Sequence, residues 1–171
     1  MKTLLLLRHA KAEWTDMAAD DIDRPLAPRG QKAAPRIGRY LKEQNLIPNQ
    51  VLCSTAQRAR ETWDLVSAEL GARPPVQFQK GLYAVSSAGL LAAVRRMPDD
   101  CTCLLLIGHN PELEDLAHRL AGTGKAEALA RLAEKYPTGA LAEISFARDN
   151  WSRIGEGSGT LQRFVRPRDL P

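Results

Sequence analysis

The chain reads TCLLLIGHNP from Thr102 to Pro111, and this stretch decides the fold class. A continuous apolar run between turn residues is typical of a strand that is covered on both faces, as in a parallel sheet. Asn110 is a favoured N-cap residue and Pro111 is favoured at the first helical position, so a helix is expected to follow at once. The stretch therefore predicts a strand that leads through His109 into a helix.

The same alternation of apolar runs and helical periodicity recurs along the chain. The predicted strands are residues 3–7, 50–53, 75–78 and 102–107, and the predicted helices are residues 29–44, 56–70, 88–97, 111–120 and 125–135, with caps at Ser54 or Thr55 and at Ser86 or Ser87. Pro35 is tolerated only near the first turns of a helix, so the first helix is expected to begin nearer Ala33. Residues 139–165 predict antiparallel strands that turn at Asp149-Asn150 and at Gly155 to Gly159.

This order predicts a single α/β domain over residues 1–171. Its architecture is expected to be a three-layer α/β/α arrangement, with a mostly parallel sheet, helices on both faces and an antiparallel C-terminal portion. The length is sufficient for one continuous core without stabilising disulfides or metals.

Composition limits the classes of function. Hydrophobic residues make up 44% and charged residues 26% of the chain, and no apolar run approaches the roughly 18 residues of a membrane-spanning helix. Cys53, Cys101 and Cys103 have no metal-type spacing and are predicted to be reduced thiols. The net charge is +4, but the basic residues are dispersed and aromatic residues are few. We therefore expect a cytoplasmic protein with an anionic substrate, no nucleic-acid or membrane partner and no cofactor, and with an oligomeric state that the sequence leaves open.

Candidate catalytic residues follow three of the predicted strands. Arg8 and His9 end the first strand, Arg58 lies in the first turn of the helix after the second, and His109 follows the strongest strand. Because binding sites in open α/β sheets lie at the carboxyl ends of the strands, these side chains are expected to converge. Two arginine forks and two helix N-termini favour a phosphoryl dianion. The sequence therefore predicts a phosphoryl-binding site.

Histidine suits covalent chemistry at such a site, because its ordinary pKa is about 6.5 and nearby arginines favour its neutral form. The prediction is that His9 accepts the phosphoryl group and that water later hydrolyses the phosphohistidine. Arg8, Arg58 and a protonated His109 would stabilise the oxygens of the transferring group. Asn110, beside His109, is a further candidate for substrate binding.

Four segments of the chain resemble the histidine phosphatase, or phosphoglycerate-mutase-like, superfamily, and within it the small SixA-type phosphohistidine phosphatases. The segments are LLLRHAKA at residues 5–12, RPLAPRG at 24–30, STAQRARET at 54–62 and IGHNP at 107–111. The resemblance implies a phosphoglycerate-mutase-like fold and metal-independent catalysis. It matches Arg8 and His9 to the family's Arg-His pair, Arg58 to its second phosphate-binding arginine, and His109 to its second histidine.

One departure from the family concerns the general acid. Many superfamily members carry Glu or Asp in the region that here reads FQKGLY, residues 78–83, where no carboxylate occurs. A phosphomonoester expels a poor alkoxide leaving group and needs a proton donor, whereas the imidazole of phosphohistidine leaves readily. The missing acid favours phosphohistidine on a protein as substrate, unless Asp21, Asp23 or Glu112 supplies the proton.

Other functions are weighed against this prediction. The main enzymatic alternative is a phosphomonoesterase or mutase acting on a small phosphorylated metabolite, and the non-enzymatic one is a module that binds phosphorylated partners without turnover. A metallohydrolase is disfavoured because the histidines lack metal-ligand spacing. Gly122 to Lys125 fails the nucleotide-binding loop motif, and His118 is expected on a helix surface.

Overall fold

The computed structural model describes residues 1–14 and 20–171, so the polar segment between residues 11 and 28 is described in part. The described residues form seven strands and five α-helices. The strands are β1 (Lys2–Arg8), β2 (Gln50–Ser54), β3 (Val76–Gln79), β4 (Cys103–Gly108), β5 (Ala121–Gly124), β6 (Leu141–Phe146) and β7 (Gly159–Val165). The helices are α1 (Pro28–Glu43), α2 (Gln57–Leu70), α3 (Ser87–Arg95), α4 (Glu112–Leu120) and α5 (Ala126–Glu134).

The strands form one sheet in the order β3-β2-β4-β1-β6-β7-β5. The four strands β1 to β4 are mutually parallel, and β6 and β7 pair antiparallel at the other side of β1. The predicted fold class, mostly parallel with an antiparallel C-terminal portion, is confirmed. Because β4 lies between β1 and β2, the carboxyl ends of these three strands lie side by side.

The helices cover both faces of the sheet. In β1, Leu4 and Leu6 pack into one apolar cluster with residues of α3, α4 and α5, while Leu5 and Leu7 pack into a second cluster with residues of α1 and α2. Successive side chains of a strand point to opposite faces, so a strand buried on both faces needs an unbroken apolar run. This requirement explains the leucine runs of β1 and β4, and it confirms the three-layer arrangement.

The expectation that α1 begins nearer Ala33 is wrong, because the helix begins at Pro28 and contains Pro35 in its interior. Proline in a helix interior costs roughly 3 kcal/mol through a lost hydrogen bond and a steric clash. Burial of Ala34, Ile37 and Leu41 against the sheet offsets that cost. Pro28 at the first helical position has the backbone angle that a helix start requires.

The C-terminal part differs from its prediction in two respects. Residues 121–124 form β5, an edge strand that pairs parallel to β7, where no strand is predicted. The connection between β6 and β7 contains a 3-10 turn at Trp151–Arg153 in place of a tight turn. The reason is burial: Trp151 is fully buried and its indole N–H donates to the carbonyl of Cys101 at 2.7 Å. Among the described helices, none has the length and apolar character needed to cross a membrane.

Candidate active site

The register of β1 against β4 places the two predicted catalytic histidines next to each other. Arg8 pairs with Gly108 at the ends of these strands, and the backbone N–H of His9 donates to the carbonyl of Gly108 at 3.1 Å. His9 and His109 therefore leave the sheet at the same point, and their ring centroids are 5.2 Å apart. Arg58 reaches the same region from the first turn of α2.

These side chains surround a cavity of about 220 Å³, which we call the catalytic cavity. Its described lining consists of Arg8, His9, Lys11, Ala12, Trp14, Arg24, Arg58, His109, Asn110 and Thr138. The lining contains four cationic side chains and, among the described residues, no carboxylate. The structure thus brings all five predicted site residues together in an environment suited to an anion.

His9 is held in one tautomer. Its Nδ1 lies 2.7 Å from the carbonyl oxygen of Ala10, and a carbonyl can only accept, so Nδ1 carries the proton and Nε2 presents a lone pair. Burial, together with the nearby His109, Arg58 and Arg8, lowers the pKa of His9 to about 3, although the hydrogen bond to the Ala10 carbonyl opposes the shift. The imidazole is therefore neutral at neutral pH and able to act as a nucleophile.

A short hydrogen-bond chain supports this orientation. The backbone N–H of Ala10 donates to Thr62 Oγ1 at 3.0 Å, and the Thr62 hydroxyl donates to the carbonyl of Arg58 at 2.7 Å. Both bonds are buried. They connect the residue that orients His9 to the first turn of α2, so the nucleophile and Arg58 are positioned by the same elements.

Each arginine is anchored on one side and has an unused donor. Arg8 Nη1 donates to the carbonyl of Tyr136 at 2.9 Å, and Arg58 Nη1 and Nη2 donate to the carbonyl and carboxylate of Asp21 at 2.7 and 3.1 Å. The Nε atoms of both arginines are buried and have no partner among the described residues. Leaving a buried donor unpaired costs roughly 1–3 kcal/mol. A bound phosphoryl oxygen would remove that cost.

His109 lies against Ser54, with Nε2 2.7 Å from the hydroxyl oxygen. Ser54 is fully buried, and among the described residues His109 Nε2 is the one acceptor within reach of its O–H, so we assign the Ser54 O–H as the donor to His109 Nε2. The remaining proton of His109 then lies on Nδ1, which is buried without a partner among the described residues. His109 can therefore donate to an oxyanion as a neutral imidazole.

The predicted protonation of His109 concerns the step in which a phosphoryl group is transferred, and it stays a prediction. In the protein without a bound anion, burial and the nearby Arg58 and Arg8 lower the pKa of His109 to about 4, although Asp21 opposes the shift. The physical reason is that a charged imidazole would be desolvated beside two guanidinium groups. His109 remains a hydrogen-bond donor through Nδ1 in its neutral form.

Two helix-cap predictions are also revised. Ser54 and Thr55 do not cap α2, whose N-cap is Ala56, and this leaves the Ser54 hydroxyl available to His109. Helix α4 begins at Glu112, after Pro111. Asn110 Oδ1 still accepts the backbone N–H of Glu114 at 3.2 Å, and the Asn110 amide donates to the carbonyl of Tyr136 at 3.1 Å. The Asn110 side chain thus lines the cavity while holding its wall together. Ser86, by contrast, caps α3 as expected.

The candidate proton donors differ in their positions. Asp21 accepts from the Tyr83 hydroxyl at 2.6 Å and from Arg24 at 3.1 Å, in addition to Arg58. The Tyr83 hydrogen bond, with those of the arginines, lowers the pKa of Asp21 to about 2, so this carboxylate is an ionised acceptor. Asp23 and Glu112 are not part of the described lining of the catalytic cavity.

Sequence reasoning missed several supporting residues. Ser54, Thr62, Tyr83 and the carbonyl of Tyr136 all hold site residues in place. Ser54 carried a usable signal, because it ends β2 and strand ends are where sites form. The Tyr136 contact has no such signal, since a backbone carbonyl can come from any residue type. Within residues 1–14 and 20–171, no group of three or more His, Cys, Asp or Glu side chains is placed to hold a metal ion.

Burial of the two histidines predicts acid sensitivity of the fold. An unfolded histidine binds a proton near pH 6.5, whereas the folded His9 and His109 do so only near pH 3 and 4. Between these values the unfolded state binds more protons, so a falling pH favours unfolding. We expect the free energy of unfolding, measured by urea denaturation, to fall between about pH 7.5 and about pH 5.

The double variant His9→Asn, His109→Asn should show a shallower dependence over the same range, because Asn does not titrate. His118→Asn is the matched control, since His118 is exposed. An equal slope in the wild type and the double variant would contradict the assignment of neutral, buried imidazoles.

Comparisons with known proteins agree with this geometry. The model of the histidine phosphatase superfamily (branch 1) matches residues 4–86. An uncharacterized protein of Mycobacterium tuberculosis is 36% identical over 164 residues, covering 95% of this chain and 100% of its own. A structure assigned as the phosphohistidine phosphatase SixA from Nakamurella multipartitia aligns with a TM-score of 0.81 and 28% identity, covering 97% of this chain and 96% of its own. A second such structure, from Agrobacterium tumefaciens, has a TM-score of 0.82 and 26% identity and covers 97% and 98%.

Proposed function

Because this chain belongs to the histidine phosphatase superfamily, with SixA proteins among its structural relatives, we propose that it dephosphorylates phosphohistidine on a protein. The reaction proceeds through a covalent phosphohistidine at His9 and without a metal ion. One observation carries the proposal: the described lining of the catalytic cavity presents a neutral imidazole with an unprotonated Nε2 and four cations, but no carboxylic acid.

In the first step, His9 Nε2 attacks phosphorus and the P–N bond of the substrate breaks. The substrate ring departs as neutral imidazole when its other nitrogen carries a proton, and solvent can supply that proton near neutral pH because the ordinary pKa of the ring is about 6.5. In the second step, water attacks the phosphorus on His9, and His9 leaves with its electron pair and regains a neutral ring. Both steps therefore break a P–N bond, so neither requires the strong acid that an alkoxide leaving group requires.

The number of unpartnered hydrogen-bond donors in the site matches the number of equatorial oxygens of the transferring group. The unpartnered Nε atoms of Arg8 and Arg58 and Nδ1 of His109 are three buried donors, and a phosphoryl group in transfer has three equatorial oxygens. Donors that are fixed before the reaction lower the barrier because they do not have to reorganise. The Asp21 carboxylate accepts from Arg58, and Tyr83 donates to that carboxylate, which supports a positioning role for both.

Leaving-group dependence tests the proposal. With a chelator present, kcat/KM is measured for a phosphohistidine protein, an aryl phosphate with an acidic phenol and an alkyl phosphate. General acid catalysis contributes roughly 10²–10⁴-fold, so we expect the alkyl phosphate to react at least about 100-fold more slowly than phosphohistidine. The aryl phosphate should lie between them, because a phenolate leaves without protonation more readily than an alkoxide.

Three results would contradict the proposal. Equal rates for the alkyl phosphate and phosphohistidine would indicate a hidden acid and a small metabolite as substrate. Activity that disappears with the chelator and returns with metal would exclude metal-independent catalysis. Binding of the phosphohistidine protein without any turnover would indicate a phospho-binding module.

A further inference from the structure

A second and larger cavity lies beside the catalytic cavity. It has a volume of about 390 Å³, and we call it the basic cavity. Its described lining is Lys11, Arg29, Ala33, Glu134, Lys135, Pro137, Thr138, Arg166, Pro167 and Arg168. Lys11 and Thr138 line both cavities, so the two share a wall. The rest of a substrate whose phosphoryl group lies at His9 would therefore be next to the basic cavity.

Positive charge is in excess in this lining, which has five cations and one carboxylate. Arg166 is already neutralised, because its Nε and Nη2 each lie 2.9 Å from the carboxylate of Asp169 and its Nη1 lies 3.6 Å from Glu134. The other four cations, Lys11, Arg29, Lys135 and Arg168, have no ion-pair partner within the part of the chain that the structure describes. Such a surface attracts anions.

The backbone fixes this cavity relative to His9. The carbonyl of Lys11 accepts the N–H of Ala27, and a Cβ on Gly30 would lie 2.1 Å from that oxygen, so α1 packs directly onto Lys11. On the other side, the N–H of Gly139 lies 3.0 Å from the carbonyl oxygens of both Arg8 and His9. Arg29 and Thr138 are therefore held at a constant place beside the nucleophile.

The two cavities present their charge differently. The catalytic cavity contains buried donors without partners, which suits one desolvated dianion. The four unpaired cations of the basic cavity are exposed on long side chains, and none of the buried unpartnered atoms belongs to its lining. Exposed, solvated cations spread over a wide surface suit several separate carboxylates better than a single small anion.

The rim of the catalytic cavity also favours a protein partner. Trp14 lines that cavity with 84% of its surface exposed, and its ring lies 4.8 Å from the Arg24 guanidinium carbon. Tryptophan and arginine are enriched among the residues that carry binding energy at protein interfaces.

We propose that the basic cavity binds acidic side chains of the protein substrate on one side of its phosphohistidine. This inference rests on the proposed function and adds a specificity determinant to it. The cavity selects phosphohistidines in acidic surroundings and contributes to substrate binding, while the catalytic cavity performs the transfer. Its effect lies in KM and is weakened by salt, because exposed ion pairs are screened.

The test uses two phosphohistidine peptides of equal length, one with Glu and one with Gln at the positions flanking the phosphohistidine. We expect kcat/KM to be about tenfold higher for the Glu peptide, since three exposed ion pairs at roughly 0.5 kcal/mol each give such a ratio. The preference should appear in KM and diminish as NaCl is added. In the triple variant Arg29→Gln, Lys135→Gln, Arg168→Gln, the ratio should approach one.

A control variant of equal charge change is Arg73→Gln, Arg96→Gln, Arg148→Gln, because these arginines are exposed and line neither cavity. It should retain the preference. Equal rates for the two peptides in the wild type would overturn the inference, and so would an equal loss of preference in both variants.

A binding measurement separates this inference from the proposed function. Fluorescence anisotropy reports the affinity of the unphosphorylated Glu peptide without requiring turnover. Tighter binding to the wild type than to the Arg29, Lys135, Arg168 variant supports the basic cavity even if no phosphohistidine is hydrolysed. Equal binding to both overturns it even if hydrolysis is observed.

Discussion

Replacement of His9 by alanine is expected to abolish both the covalent intermediate and turnover. Nε2 of His9 presents the unprotonated lone pair at the catalytic cavity, and His109 is engaged by Ser54 through its Nε2. Loss of a catalytic nucleophile costs on the order of 10⁴–10⁶-fold in kcat. We expect a loss in this range for His9→Ala with a phosphohistidine peptide as substrate.

The measurement combines two readouts. Rapid quenching of the wild type with labelled substrate should trap an acid-labile, base-stable phosphoprotein, and the His9→Ala protein should show none. His118→Ala is the matched control, because His118 is an exposed histidine of α4 outside the site. A labelled His9→Ala protein, or activity within tenfold of the wild type, would show that another residue accepts the phosphoryl group.

Replacement of Arg58 by alanine should produce the second-largest effect. Arg58 is 6% exposed, and its unpartnered Nε is buried within the site. Arginines that stabilise a transferring phosphoryl group contribute about 10³–10⁵-fold in kcat. We expect kcat/KM to fall by at least about 10³-fold, because the transferring group loses this arginine and the Asp21 carboxylate loses one of the two arginines that pair with it.

Two further variants test whether the loss of activity is specific to the guanidinium of Arg58. Arg58→Lys retains the charge but not the planar fork, so it should recover only a small part of the activity. Arg60→Ala removes an exposed arginine two positions further along the same helix and should leave kcat/KM near the wild-type value. Thermal unfolding of all three variants checks that the fold is retained. If Arg58→Ala remains folded and kcat/KM drops less than tenfold, Arg58 does not bind the transferring group.

The contacts that hold Arg58 in place also affect the pKa of His109. Asp21 accepts hydrogen bonds from the Arg58 guanidinium and from the Tyr83 hydroxyl, and the guanidinium adds to the burial that lowers the pKa of His109. The same arginine is therefore placed to attract the dianion, and it adds to the burial that favours the neutral form of both imidazoles.

The sequence predicts the features of this architecture that depend on neighbouring residues. The apolar runs of β1 and β4 predicted strands buried on both faces, and the residues after them, His9 and His109, were predicted at one edge of the sheet. These predictions succeed because side-chain periodicity and turn chemistry act over a few residues. The absence of a carboxylate in residues 78–83 was equally visible in the sequence.

Other features depend on residues far apart in the chain. The internal Pro35 of α1 is tolerated because of the packing of its helix, and β5 exists because β7 offers it an edge. The residue pattern of one segment does not show how strongly contacts with a distant segment stabilise it. For that reason the start of α1 and the existence of β5 were not predicted.

The fold class, the family and the set of candidate groups around His9 follow from the order of the residues. The contacts between distant segments establish that burial favours the neutral form of His109, that Asp21 pairs with Arg58 and that Lys11, Arg29, Lys135 and Arg168 line one cavity. The physical reason is common to all three. Protonation depends on burial and on the distance to other charges, and a cavity depends on which distant segments meet, whereas residue order specifies neither.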